Sequence, residues 1–477
     1  MKRTKIVCTI GPASERQGTI EKMIKAGMNI ARLNFSHGNY AAHQKLIRNI
    51  RQAAKKTGAI VAILADLQGP RIRVGDLGGR IIELKNGSEV ILTTKSKKFG
   101  NKIPVTYAGL HRDVRIGNRI LLADGLMELK VRAKKGRDII CQVINGGALT
   151  SHKGINLPGV TLGLSAISEK DKQDLYFAIK QKVDFVALSF VTNDREVKNL
   201  RQLIGKYEKE LKLKKEAPIK IIVKIERGQA IKNFAKILEA TDGVMVARGD
   251  LGIEMPAEDV PLIQKSLIDK CLAKAKPVIV ATQMLESMIQ NPRPTRAEVS
   301  DVANAVIDHT DAVMLSGETA NGRYPVEAVA IMAKIVTTTE KSTYDDLTIK
   351  TKIKKFKPVE EAVGNMANVL ARTTNVKAIL VASISGSAGR LVSRYRPELP
   401  IFVSTDNARV KRQLMLSWGI VPFLLPSCHS IEELIERSID FLKKNKHIKK
   451  GNKLIIVAGE PVGKSGVVNL VEIKEIA

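Results

Sequence analysis

The chain has 477 residues, too many for one compact core, so two or three domains are expected. Its 44% hydrophobic content supports real cores, and no apolar run reaches the ~18 residues of a membrane span. The net charge of +30, from 78 Lys+Arg against 48 Asp+Glu, would suit nucleic-acid binding, but the lysines are dispersed and aromatics are only 4%, which leaves few stacking platforms for bases. A lysine-rich enzyme with anionic substrates is therefore preferred, and nucleic acid is not an expected partner.

The opening MKRTKIVCTIGP passes straight into a strand-like run, too short for a signal peptide's apolar region and with no small-residue cleavage site after it. A cytoplasmic protein without membrane attachment is expected. Short runs rich in Val and Ile follow at KIVCTI (5–10), NIARLN (29–34) and AIVAILAD (59–66). Residues 70–153 change character: alternating stretches such as RIIEL, SEVILTT, RILLADG and MELKV are broken by Asn-Gly, Gly-Asn and Gly-Gly turns, which predicts an inserted small β-barrel acting as a lid. Apolar runs resume at DFVALSF (184–190), IKIIVKIE (219–226), DGVMVAR (242–248), KPVIVAT (276–282) and DAVMLSGE (311–318). Eight such runs, buried on both faces and separated by helix-like segments, predict a parallel (β/α)8 TIM barrel over 1–69 and 154–340. A charged linker, KSTYDDLTIKTKIKKFKP, leads to AILVAS, PIFVST, VPFLL and KLIIVAG, the strands of an open α/β domain over 341–477. The overall class is α/β. Cys8, Cys141, Cys271 and Cys428 lie far apart without metal-type spacing and read as ordinary buried thiols.

Polar residues cluster where these strands end, the side of such a barrel that carries active sites. ARLNFSHG places Arg32, Asn34 and Ser36 in alternate positions, an arginine fork for phosphate and two oxygens for a cation, although alone it reads equally as a solvated loop. In ADLQGPRIR, Asp66 ends a strand, and Arg71 and Arg73 alternate, so only one is expected to face the mouth; alone, this is a hinge. VKIERG puts Lys224 and Glu226 on one strand face, and VARGDLGIE adds Asp250 after Gly249. Two carboxylates make the hard oxygen site that Mg2+ uses with water and substrate, and an adjacent lysine can neutralise a phosphoryl group in transfer. Thr282 and Ser316 supply hydroxyls at the ends of adjacent strands, and Thr295 with Glu298 forms a capping box. The stretch AGEPVGKSG (458–466) resembles a P-loop but is one residue short and precedes a strand-like VVNLVEI, so that reading is rejected. SISGSAGR (383–390) is a plain βα turn or an effector phosphate site, and the second is favoured.

The ordered set TIGPAS, ARLNFSHG, DLQGPRIR, ADGL, KGINLPG, ALSF, KIE, MVARGDLGIE, ATQMLESM, PTRAEVSDVANAV and MLSGETANGRYP resembles the pyruvate kinase family, across essentially the whole chain and more loosely in the last domain. The resemblance implies transfer of phosphoryl from phosphoenolpyruvate to ADP. It implies that Glu226 and Asp250 hold Mg2+ (or Mn2+), that Lys224 stabilises the phosphoryl group and the enolate, and that Arg32 and Arg73 grip phosphate oxygens. It further implies that the backbone of Gly249 and Asp250, with Thr282, receives the substrate carboxylate, and that His37, Lys153 and Asp124 serve the nucleotide. Enolate protonation would run through water held by Thr282 and Ser316 with Glu318 nearby, or less readily from Lys224. A homotetramer is implied. Many members read GPEIR and need K+ beside Asn, Ser, Asp and Thr ligands; this chain has Asn34, Ser36 and Asp66, but Leu67 where Thr is common and Arg71 at the glutamate position. A fixed positive charge can replace the ion's field, so K+ is expected not to be required. Ser385, Gly386 and Ser387 are the expected contacts of a phosphorylated activator, a sugar monophosphate or AMP in preference to fructose 1,6-bisphosphate. The rival readings are a metal-dependent aldolase or lyase sharing the enolate, and a non-enzymatic RNA-binding role.

Overall fold

The computed structural model describes residues 2–96, 98–213, 216–347, 358–383, 385–459 and 468–477. Eight strands, Lys5–Thr9, Ile30–Asn34, Ala62–Asp66, Phe185–Leu188, Lys220–Ile225, Gly243–Ala247, Val278–Ala281 and Ala312–Leu315, close into a barrel in which every pair is parallel. The third and fourth pair directly, Leu64 beside Phe185 and Asp66 beside Ala187, so the insert between them leaves the barrel unbroken.

The period-2 pleat sorts every strand into two sets. Val7, Ile30, Leu64, Ala187, Ile222, Met245, Ile279 and Met314 fill the barrel interior. Ile6, Cys8, Ala31, Leu33, Ile63, Ala65 and Leu67 pack outward in the layer shared with the helices. Continuing the interior register by one step toward the C-terminal ends gives Thr9, Arg32, Asp66, Ser189 and Lys224, and one step further gives Asn34 and Glu226. This part of the polar mouth is thus the top of the interior stack, and Asp250 and Thr282 are added from beyond the strands.

The insert forms a six-stranded sheet and a separate two-stranded ribbon over the apolar cluster of Val74, Leu92, Ile120, Leu129 and Ile139. It ends later than the expected residue 153. Ile155–Asn156 pairs with Leu121 and Leu122, and Leu157 belongs to the same cluster. The Gly154 bridge to Arg73 ties the outgoing and returning chains together before the barrel resumes at the helix Glu169–Lys180. That helix starts in a capping box of Ser168 and Asp171, as its sequence predicts. Thr295 and Glu298 likewise cap Arg296–Ile307.

The last domain stacks Ala378–Ala382, Ile401–Thr405, Ile420–Leu424 and Lys453–Ala458 in parallel, with Leu470–Glu475 antiparallel at one edge. It closes the barrel's N-terminal end: Leu416 joins the interior cluster, Lys5 Nζ donates to the Ile420 carbonyl at 2.8 Å, and Trp418 N–H donates to Asp311 at 3.0 Å. The opposite mouth is left to the insert. Residues 348–357 of the linker and 460–466 of the P-loop-like stretch lie outside the described residues. All four cysteines are free thiols and three are buried.

Candidate active site

Asp66 anchors the mouth. Its side chain is 1% exposed, and its Oδ2 accepts from Arg32 Nε at 2.7 Å and lies 2.6 Å from Arg32 Nη2. Arg32 Nη1 donates to Thr9 Oγ1 at 2.9 Å, so the guanidinium is held from two sides. Burial pushes the Asp66 carboxyl up, but the charges of Lys224 and Arg32 outweigh it and hold the group below its ordinary value.

Lys224 Nζ lies 2.8 Å from Glu226 Oε1 and 3.6 Å from Asp66 Oδ1, and donates to Ser189 Oγ at 2.9 Å. Burial works against its ammonium, yet the two carboxylates prevail and keep it charged. Ser189 was not among the expected site residues. Its hydroxyl passes the contact on to the Leu67 carbonyl at 2.8 Å, and its place at the end of the ALSF run was the signal available.

Glu226 Oε2 accepts from Phe190 N–H at 2.6 Å, while the buried Oε1 faces the Lys224 ammonium at 2.8 Å. Burial pushes this carboxyl up, and the nearby Asp250 charge adds to the shift against the pull of Lys224. Two carboxylates close enough to repel, with a single ammonium between Asp66 and Glu226 to offset them, suit a divalent cation. Among the described residues no group of three or more His, Cys, Asp or Glu is placed to hold one. Two hard oxygen ligands with room for water and substrate fit Mg2+ or Mn2+, not a cage made wholly of protein.

Thr282 has φ +70, a costly conformation for a β-branched residue, and Phe190, Gln283 and Asp124 also take positive φ. The turn at Thr282 is clamped by Arg248, which donates to the Thr282 carbonyl at 2.8 Å and pairs with both oxygens of Asp301 at 2.6 Å. Nothing in the local sequence marks Arg248, whose partners lie 34 and 53 residues away. Thr282 Oγ1 accepts from Gly249 N–H at 2.8 Å and donates to the Ala281 carbonyl at 2.6 Å. The Gly249 amide, an expected contact of the substrate carboxylate, is here engaged by Thr282. Ser316 stands at the end of the neighbouring strand, and Glu318 accepts from the amides of Ser316 at 2.7 Å and Leu285 at 3.1 Å. Burial pushes the Glu318 carboxyl up, and its contacts make it a brace for the two loops.

Between insert and barrel a cleft of about 300 Å3 is lined by His37, Arg71, Arg73, Asp124, Lys153 and Asp250, with Arg227 and Glu254. Both arginines reach it, where only one was expected. The alternation argument fails because 68–72 is irregular chain and Arg73 makes only an isolated bridge. Of Leu67, grouped with Asn34, Ser36 and Asp66, the side chain packs in the outer apolar layer, while the carbonyl accepts from Ser189 at 2.8 Å. Asn34 Oδ1 accepts from Ser36 N–H at 3.1 Å, and the exposed Arg71 guanidinium makes no hydrogen bond or ion pair among the described residues. In the last domain, Ser385 and Ser387 hydroxyls lie 2.9 Å apart across Gly386 (φ +73), where a Cβ would come within 2.7 Å of Leu414.

Residues 1–329 match the pyruvate kinase barrel domain and 361–474 the pyruvate kinase alpha/beta domain. This chain belongs to the pyruvate kinase family. It is 46% identical to the pyruvate kinase of Geobacillus stearothermophilus, over 100% of this chain and 81% of that one. It is also 46% identical to that of Staphylococcus saprophyticus, over 99% and 80%. The crystal structure of a pyruvate kinase from Cryptosporidium parvum superposes with a TM-score of 0.92 at 39% identity, covering 100% of this chain and 96% of that one. The chain is a phosphotransferase of the pyruvate kinase type, and its mouth is understood in those terms. No helix among the described residues is long and apolar enough to cross a membrane.

Proposed function

We propose that the barrel mouth transfers phosphoryl from phosphoenolpyruvate to ADP, with Lys224 as the central electrostatic group. The observation that carries this assignment is the ammonium of Lys224, kept charged in a buried site between Asp66 and Glu226. Two anions must meet for the reaction to occur, and cationic side chains offset their repulsion. Arg32, set by Asp66 and Thr9, and Arg73, in the cleft, bind phosphate oxygens. Lys224 faces the phosphoryl group in transfer and then the enolate. Glu226 and Asp250 would hold Mg2+ or Mn2+, which supplies positive charge and orientation when bound.

The substrate carboxylate is received beside Asp250 and Thr282, with the Gly249 amide free to serve only if Thr282 Oγ1 releases it. Thr282 spends its proton on Ala281 and one lone pair on Gly249; its other lone pair and Ser316 can orient the water that protonates the enolate. His37, Lys153 and Asp124 bind the nucleotide across the cleft. Closure of the insert over this cleft would exclude water, the competing acceptor. Arg71, free in the same cleft, supplies the fixed charge that makes K+ unnecessary. The Ser385–Ser387 loop takes a phosphorylated activator, and the working assembly is a cytoplasmic homotetramer.

The test is pyruvate formation from phosphoenolpyruvate with Mg2+, with or without ADP, in K+ or Na+ salt. ADP-dependent turnover equal in both salts is expected. Turnover needing K+ keeps the kinase and removes the role of Arg71. Pyruvate and inorganic phosphate released without ADP would make water the acceptor and remove the kinase role, and no turnover, even with sugar phosphates and AMP added, would turn the reading to a lyase or a binding protein.

A further inference from the structure

Beneath the nucleotide side of the cleft lies a buried histidine that the assignment above leaves unused. His43 stands in the first turn of the helix Tyr40–Thr57, is 6% exposed and does not line the cleft. Its ring stacks on Phe35, with centroids 4.3 Å apart and planes 13° from parallel. Its Nε2 lies 2.9 Å from the His37 carbonyl oxygen. A carbonyl only accepts, so Nε2 carries the proton and donates. Burial pushes the imidazolium down, which leaves the ring neutral near pH 7 with Nδ1 as an acceptor. That Nδ1 is buried and makes no hydrogen bond. A buried acceptor without a donor costs stability, and an apolar side chain would pack on Phe35 without that cost. Packing alone therefore does not account for a histidine here, whereas the contact with His37 does.

The segment that carries His37 is tied at both ends by other groups. The Phe35 carbonyl accepts from Lys170 Nζ at 2.8 Å, and Lys170 in turn lies 2.5 Å from Asp174 Oδ2. Tyr40 Oη donates to Asp174 Oδ1 at 2.9 Å, and Asn39 Oδ1 accepts from the Ala42 amide at 2.9 Å. Between these ends the His37 amide makes a long bond of 3.3 Å to the Asn34 carbonyl. Gly38 turns the chain at φ +80, and a Cβ there would lie 3.4 Å from His43 Nε2, so the loop crosses close over the imidazole. The short bond from His43 thus fixes the peptide plane from which the exposed His37 side chain leaves for the cleft.

We propose that His43 is a positioning residue for ADP: its Nε2–H, aimed by the stack on Phe35, orients the His37 backbone and so points the His37 side chain at the nucleotide. A flat ring suits the task, because fixing its plane also fixes the direction of its donor. The proposal rests on the nucleotide role given to His37 and adds the residue that sets it.

The experiment is steady-state kinetics of the full-length protein with ADP and phosphoenolpyruvate varied in turn. It compares wild type, His43→Leu, His43→Gln, His37→Ala and the double variant His37→Ala/His43→Leu, with circular dichroism to confirm folding; His43→Met replaces the leucine variant if that one does not fold. His43→Leu should raise KM for ADP about fivefold, the scale of one hydrogen bond, and leave KM for phosphoenolpyruvate within about twofold. His43→Gln places an amide donor where Nε2 stood and should restore the wild-type KM for ADP. In the His37→Ala background His43→Leu should add nothing, because the group it positions is gone. An unchanged KM for ADP in His43→Leu, an equal rise for both substrates, a glutamine variant as poor as the leucine one, or additive effects in the double variant overturns the proposal while the role of His37 stands. An unchanged KM for ADP in His37→Ala overturns that role, and the proposal with it.

Discussion

Replacing Asp66 by Asn removes one charge from a fully enclosed group at the mouth. The side chains of Asp66, Arg32 and Lys224 are 1%, 11% and 11% exposed, so solvent screens their interactions little. Removing one partner of such a buried pair costs about 3–5 kcal/mol, because the remaining charges stay buried. Asn still offers a carbonyl oxygen to Arg32, which places the expected loss near ~3 kcal/mol. For a domain of this size that is a fall of roughly 6–12 °C in the melting temperature. The pH dependence follows from the lowered pKa of Asp66. A depressed carboxyl contributes stability above its unfolded value of about 3.9, and that stability is lost as pH falls through the lower folded value. The gap between wild type and Asp66→Asn should therefore be constant from pH 7 to pH 5 and close only below about pH 4. Thermal melts at pH 7, 5 and 3.5 read the gap, and kcat/KM at pH 7 reads the accompanying loss, about a hundredfold for a misplaced Arg32 and Lys224. Equal melting temperatures with unchanged kcat/KM, or a gap already closed at pH 5, would refute the reasoning.

Lys224→Met should lower kcat by at least about a hundredfold, as loss of a transition-state charge contact does, with circular dichroism unchanged and KM little altered; a change confined to KM would place the lysine in binding alone. Arg71→Glu should introduce the K+ activation that the wild type is proposed to lack, read by a salt titration at constant ionic strength; a flat titration in both proteins would remove the charge-substitution account. Glu254, in the cleft, is pushed up to about 7, first by burial. A raised carboxyl pKa gives stability that is present below the unfolded value of about 4.3 and lost as pH rises through 7. Melts in EDTA should then show Glu254→Gln gaining on wild type between pH 5 and pH 8, and a constant difference would contradict that shift.

Much of this architecture could be read from local pattern. Eight short Val- and Ile-rich runs sufficed for the barrel, because strands buried on both faces leave a continuous apolar signature. Lys224 and Glu226 could be paired before any coordinates, because residues two apart on a strand share a face. Ser168 and Thr295 announced their helices, because a cap is a contact three residues long. Other features depended on partners far away in the chain. Ser189 and Arg248 looked ordinary until Lys224 and Asp301 were brought beside them. Leu67 offers the mouth only its carbonyl, because one step along the pleat turns a side chain to the outer layer. Arg71 and Arg73 share a cleft because the chain leaves regular strand geometry before them, which their spacing could not reveal. Lys5 and Trp418 found the Ile420 carbonyl and Asp311 only when two domains met, since a partner is a property of everything packed around a group. Sequence by itself determined the elements, the order of the domains and the chemistry available at the strand ends. Tertiary structure alone decided which charges neutralise one another and which are left to find a ligand, because electrostatic energy depends on distance and burial, and neither is written along the chain.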